Sequence, residues 1–84
     1  MRITFKLYAT LADHLPAEAR RSNQVELEAP DGATIAAVIA PYNLPPKLVH
    51  LVLVNGVYIA PAARATHALA DGDTLAIWPP VAGG

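Results

Sequence analysis

The residues through which this chain could act chemically are few: three histidines, aspartates at 71 and 73, one serine, two lysines and a closing Gly83-Gly84 pair. His14, His50 and His67 stand in three separate segments, and none has an acidic or thiol neighbour at metal-ligand spacing, so a structural or exposed place suits each better than a catalytic one. Asp71 and Asp73 flank Gly72, a pattern that fits a tight turn better than a pair of carboxylates set for acid–base work. Ser22 lies in a polar stretch with no histidine beside it to act as a base. Gly32, Gly56 and Gly72 are too widely spaced to cradle a phosphate, and no P-loop lysine motif occurs. Lys6 and Lys47 read as solvated surface residues. No internal catalytic residue and no metal site is expected.

That leaves the end of the chain, Pro79-Pro80-Val81-Ala82-Gly83-Gly84. Two prolines fix φ and favour extended geometry, while the last two residues carry no Cβ. Six extended residues reach roughly 20 Å, enough to thread a narrow channel in another protein, where larger side chains would obstruct. The reactive group at such a tip is the carboxylate. It is a poor electrophile at neutral pH, and an ATP-using partner can activate it as an acyl-adenylate, from which a nucleophile takes the acyl group.

A tip of this kind needs a rigid base. Ile3, Phe5 and Leu7 alternate with Arg2, Thr4 and Lys6, the period of a strand with one face buried. A short helix is expected over 10–15 with Thr10 as its cap, limited by Pro16. Val25 and Leu27 alternate with polar residues in a second, edge-like strand that ends at Pro30-Asp31-Gly32. Thr34 caps the main helix, 35–40, whose positions 35, 38 and 39 share a face before Pro41. The apolar run 48–54 reads as a buried strand, and Asn55-Gly56 predicts a tight hairpin into Val57-Tyr58-Ile59, which Pro61 ends. The stretch 62–69 is irregular, Asp71-Gly72-Asp73 is a turn, and residues 74–78 form the last strand. The order ββαβββ with one short helix is most economically a single mixed sheet, its apolar face packed on that helix and its last strand beside the first. This is an α+β, β-grasp arrangement. One domain spans 1–84, with a flexible tail over 79–84.

Composition excludes several classes. At 84 residues the chain supports one small core, and 54% hydrophobic content without cysteine means that packing alone must stabilise it. A formal net charge of −1, with no run of either sign, supplies no footprint for nucleic acid or anionic lipid. The apolar runs are far too short to span a bilayer, and Lys6 and Asp13 interrupt any signal-peptide pattern, so a cytoplasmic location is expected.

The strand order, the Val54-Asn55-Gly56 turn, the 69–73 segment Leu-Ala-Asp-Gly-Asp and above all the Pro-Pro-Val-Ala-Gly-Gly ending resemble the ubiquitin-like sulfur carriers. This is the family of the small subunit of molybdopterin synthase and the thiamine-pathway sulfur carrier, and the resemblance covers essentially the whole chain. It implies that an E1-like adenylating enzyme uses ATP to activate Gly84, which then becomes a thiocarboxylate and delivers sulfur to a synthase large subunit. The sulfur rides on the main chain, which agrees with the absence of cysteine. Gly83, Ala82 and Val81 would thread into the partner. The carrier binds no cofactor and has no catalytic residue of its own, acting as cosubstrate or small subunit. The ending and the 9–23 insert look more like the molybdopterin synthase subunit than the thiamine carrier. A protein modifier joined through Gly84 to lysines is the alternative, and a non-covalent binding module with an idle tail is a third.

For docking, Trp78, Pro80 and Val81 are expected to form an apolar contact beside the tail, as aromatic anchors commonly do at interfaces. Trp78 stands where the synthase subunit commonly has phenylalanine, and as a lone tryptophan in a short strand it fits a core position equally well. The faces of Leu51 and Leu53 stay open.

Overall fold

The computed structural model describes residues 1–80. Five strands form one sheet: β1 (Arg2–Leu7), β2 (Gln24–Glu28), β3 (Leu51–Val54), β4 (Val57–Tyr58) and β5 (Thr74–Trp78), with the helix α1 (Ile35–Ile39) between β2 and β3. The spatial order is β2-β1-β5-β3-β4. β1 runs parallel to β5 and antiparallel to β2, and β3 is antiparallel to both β5 and β4, so the sheet is mixed. This is the β-grasp fold that the strand order implies.

Alternation sorts the side chains. Ile3, Phe5, Leu7, Val52, Leu75 and Ile77 are fully buried on the inner face, where Ile35 and Val38 of α1 join them. At about 25 cal/mol per Å² of apolar area, this one cluster is the dominant source of stability in a chain without disulfides. Thr34 caps α1 as expected, its hydroxyl accepting from the Ala37 N–H at 3.2 Å. The α-helix stops at Ile39, and Pro41 sits in a following 3-10 turn, Ala40–Tyr42, because its ring cannot continue the α ladder. Tyr42 packs against Phe5 at 4.8 Å between ring centroids.

Three local expectations need correction. The 10–15 helix is a 3-10 helix over Ala9–His14, preceded by Tyr8 with no side-chain cap, so Thr10 caps nothing. Its Leu11 still reaches the core, as does Leu15 just beyond. The 48–54 strand is shorter: Pro46–Leu48 is a 3-10 turn, and pairing starts at Leu51, since Pro45 and Pro46 favour a turn over extended chain. Strand β4 ends at Tyr58, although the Ile59 N–H still donates to the Val52 carbonyl at 2.9 Å. Pro61 does not simply end a strand, for it opens a further 3-10 turn.

The Asn55-Gly56 hairpin has positive φ at both residues, 50° and 82°, as a type I′ turn demands. Asn55 also ties this turn to the Asp71-Gly72-Asp73 turn. Its Nδ2 donates to Asp73 Oδ1 at 2.8 Å, its Oδ1 accepts from the Thr74 N–H at 2.9 Å, and the Ala70 N–H donates to Asp73 Oδ2 at 2.8 Å. Asp71 meanwhile accepts from the Arg2 N–H at 2.7 Å. Both aspartates are thus spent on turn geometry.

Arg64 fastens the irregular segment to the sheet. Its guanidinium donates to the carbonyls of Ile59, Val49 and His50 at 3.1, 3.2 and 3.1 Å. Charge-assisted donors of this kind contribute more than neutral ones, so Arg64→Met is expected to cost about 2 kcal/mol, read as a lower denaturation midpoint in urea with an unchanged slope. Burial pushes the Tyr42 phenol above its ordinary value. The stabilisation from keeping that phenol neutral is fully present below the unfolded value of about 10 and is lost as pH rises through the raised folded value. Tyr42→Phe should flatten that alkaline loss in thermal melts taken across this range.

Candidate docking face and carrier tail

The outer face of the sheet turns away from α1. The β1–β5 register places Lys6 opposite Ala76, and one step on Tyr8 lies beside Trp78. Their rings stack at 3.8 Å between centroids and 4° between planes. On the other flank Leu51 pairs with Trp78, Leu53 with Ala76 and Tyr58 with Leu53. A row of Tyr8, Trp78 and Leu51 therefore crosses three strands, and a second row of Ala76, Leu53 and Tyr58 lies beside it.

Trp78 is 40% exposed, Leu51 36% and Tyr58 51%, so none of these side chains fills the core. Leu51 and Leu53 share this outer face because Val52 and Val54 take the inner one. The His50 N–H also donates to the Trp78 carbonyl at 3.2 Å, a further tie at the end of β5 beside the Leu51–Trp78 pair. Because β5 lies between β1 and β3, the chain leaves the sheet from its middle, next to the stacked pair. Pro79 is half-buried and Pro80 exposed. Val81, Ala82, Gly83 and Gly84 lie outside the described residues.

Chemically this face offers an apolar, aromatic surface for binding. Among the described residues no group of three His, Cys, Asp or Glu side chains converges on one point. No helix among them is long and apolar enough to cross a membrane. Tyr8 and Arg64 escaped the sequence reading. Tyr8 continues the outer-face alternation of Lys6, which was the available signal; the three carbonyls of Arg64 left none.

A model described as the ThiS family matches residues 14–84, which includes β2 to β5, the outer face from Leu51 to Trp78 and the Gly-Gly end. The chain belongs to the ThiS family. The fold of this ThiS-family chain is shared with solved structures. SAMP1 from Haloferax volcanii is 28% identical over 100% of both chains, with a TM-score of 0.65. The HVO 2177 protein of the same organism is 26% identical over 100% of this chain and 87% of its own, with a TM-score of 0.74. Subunit 1 or 2 in the protein–protein complex of the molybdopterin-converting factor from Helicobacter pylori is 15% identical over 100% of both chains, with a TM-score of 0.58, a likeness of fold. No curated protein matches the ThiS-family chain in sequence. By family and fold it is a ubiquitin-like sulfur carrier.

Proposed function

We propose that this protein carries sulfur as a thiocarboxylate on Gly84 for molybdopterin synthesis in the cytoplasm. An E1-like enzyme transfers AMP from ATP to the Gly84 carboxylate with release of pyrophosphate, and a hydrosulfide-level sulfur nucleophile then attacks the acyl carbon and expels AMP, leaving the thiocarboxylate. Gly83, Ala82 and Val81 thread the tip into the large subunit of a synthase, while Trp78 and Pro80 dock at its mouth. The observation that carries this reading is the family match running through residue 84, with an exposed aromatic stack at the foot of the tail. The Helicobacter pylori complex supports a synthase partner by analogy of fold. Intact-mass measurement after co-expression with the adenylating enzyme tests it: an oxygen-to-sulfur mass gain confined to the peptide ending in Gly84 is expected, and its absence would reject the proposal.

A second reading, a protein modifier joined through Gly84 to lysines, is favoured by the 28% identity to SAMP1. Peptide mapping of pulled-down conjugates with elastase, which cleaves after small residues such as Ala82, decides it, since no Gly-Gly remnant on any lysine would end that reading.

A further inference from the structure

At the β2 edge of the sheet, on the side that α1 covers, a groove of about 370 Å³ opens between α1 and β2. Leu27, Ala29, Ala37, Val38, Pro41 and Tyr42 line it, and Glu28 stands at its rim. β2 is the edge strand beside it.

The β1–β2 ladder fixes which backbone groups of β2 are free. The Met1 amino group donates to the Ala29 carbonyl at 2.7 Å, and the Ala29 N–H donates to the Met1 carbonyl at 2.9 Å. Ala29 therefore faces β1, and by alternation so do Leu27 and Val25. Gln24, Glu26 and Glu28 turn their N–H and C=O groups outward. The Ser22 hydroxyl occupies the Gln24 carbonyl at 3.3 Å, but among the described residues no hydrogen bond reaches the outward groups of Glu26 and Glu28. The same parity puts the half-buried side chains of Val25 and Leu27 on the helix-facing side of the sheet, where Leu27 lines the groove, and those of Glu26 and Glu28 on the outer face.

We propose that this edge and groove bind an extended segment of a partner protein as a sixth strand. Apolar side chains at alternate positions would enter the groove, and lysine or arginine at the intervening ones would lie beside Glu26 and Glu28. Charge selects this occupant. Glu28 meets Arg2 at 3.6 Å, yet the two side chains are 76% and 68% exposed, and Glu26 only accepts the Thr4 hydroxyl at 2.7 Å, so both carboxylates stay open to a basic neighbour. A second copy adding its own β2 would set glutamates against glutamates. Residues 79–84 offer two prolines, which cannot donate, and no basic side chain. Backbone pairing at Glu26 and Glu28 supplies affinity, and the groove supplies specificity. This site is separate from the Trp78 face and does not depend on the sulfur chemistry.

The probe is the blocked peptide Thr-Val-Lys-Val-Lys-Val-Thr, titrated into the nitrogen-15-labelled full chain. Amide shifts at Glu26, Glu28, Ala37 and Tyr42 are expected, with slowed solvent exchange of the Glu26 and Glu28 amides. A peptide with glutamate in place of both lysines should bind at least about tenfold more weakly. Glu26→Pro removes an outward donor without touching the β1 ladder and should weaken binding by a similar factor; Ala37→Arg, which fills the groove from an exposed helix position, does the same should the proline variant fail to fold. No shift at about 1 mM peptide overturns the proposal, as do shifts confined to the Trp78 face. Concentration-dependent dimerisation that protects the Glu26 and Glu28 amides without peptide would assign the edge to a second copy and overturn it equally.

Discussion

Deleting Gly84, or appending one bulky residue after it, is expected to leave the fold intact and to abolish thiocarboxylate formation. Every buried side chain among the described residues lies between Ile3 and Ile77, so the core has no stake in the last residue. The chemistry has a complete one. An added residue moves the reacting carboxylate by about 3.3–3.6 Å, and a misplacement of about 1 Å at a reacting centre already costs on the order of a hundredfold. The loss should therefore exceed a hundredfold in sulfur delivered to the acceptor, with no mass gain on the carrier and an unchanged circular dichroism spectrum and melting curve. An appended variant that works as well as the native chain, without being trimmed, would remove the basis for a carrier role.

The second large effect is expected at Trp78. Its ring lies on the outer face against Tyr8 and opposite Leu51, so Trp78→Ala removes about 0.5–1.5 kcal/mol of aromatic stacking from the free protein and leaves the core closed. At an interface the same truncation strips a central anchor, which typically costs 2 kcal/mol or more, about 30-fold in affinity. Titration calorimetry of the variant against the adenylating enzyme or the synthase subunit reads this directly. Affinity within about twofold of the native value would place the docking surface elsewhere. Tyr8→Ala should follow in the same direction, since it leaves the indole without its supporting ring.

The sequence made the sheet legible wherever alternation was strict. Ile3, Phe5 and Leu7 read as one buried face because each was separated by a polar residue, and residues 74–78 read as the last strand, whose Leu75 and Ile77 join that face. Asn55-Gly56 announced its hairpin because few other pairs accept positive φ twice. Prolines were harder. Pro16, Pro46 and Pro61 each adjoin or open a 3-10 turn, a state that leaves little periodicity to read and that replaced the expected α-helix at 10–15 and the first half of the expected strand at 48–54. The face of Trp78 could not be settled from a five-residue strand, since large aromatics serve cores and interfaces alike; only the register against Leu51 and the stack on Tyr8 place it outside. Arg64 was illegible because its partners are main-chain carbonyls, those of Val49 and His50 lying on a segment 14 to 15 residues away, which no local pattern encodes.

The central pairing of β1 with β5 has a further effect. Thr4 meets Thr74 and Leu7 meets Ile77, so closing the hydrophobic centre waits on nearly the full length of polypeptide. Such long-range closure slows folding relative to a helical protein of equal size. On the ribosome, β5 emerges late, and a truncated translation product cannot seat Leu75 and Ile77 against Phe5. Closure of the core and emergence of the strand that leads into the last residues are thereby joined in one event, and a chain that stops before β5 is expected to lack a closed core.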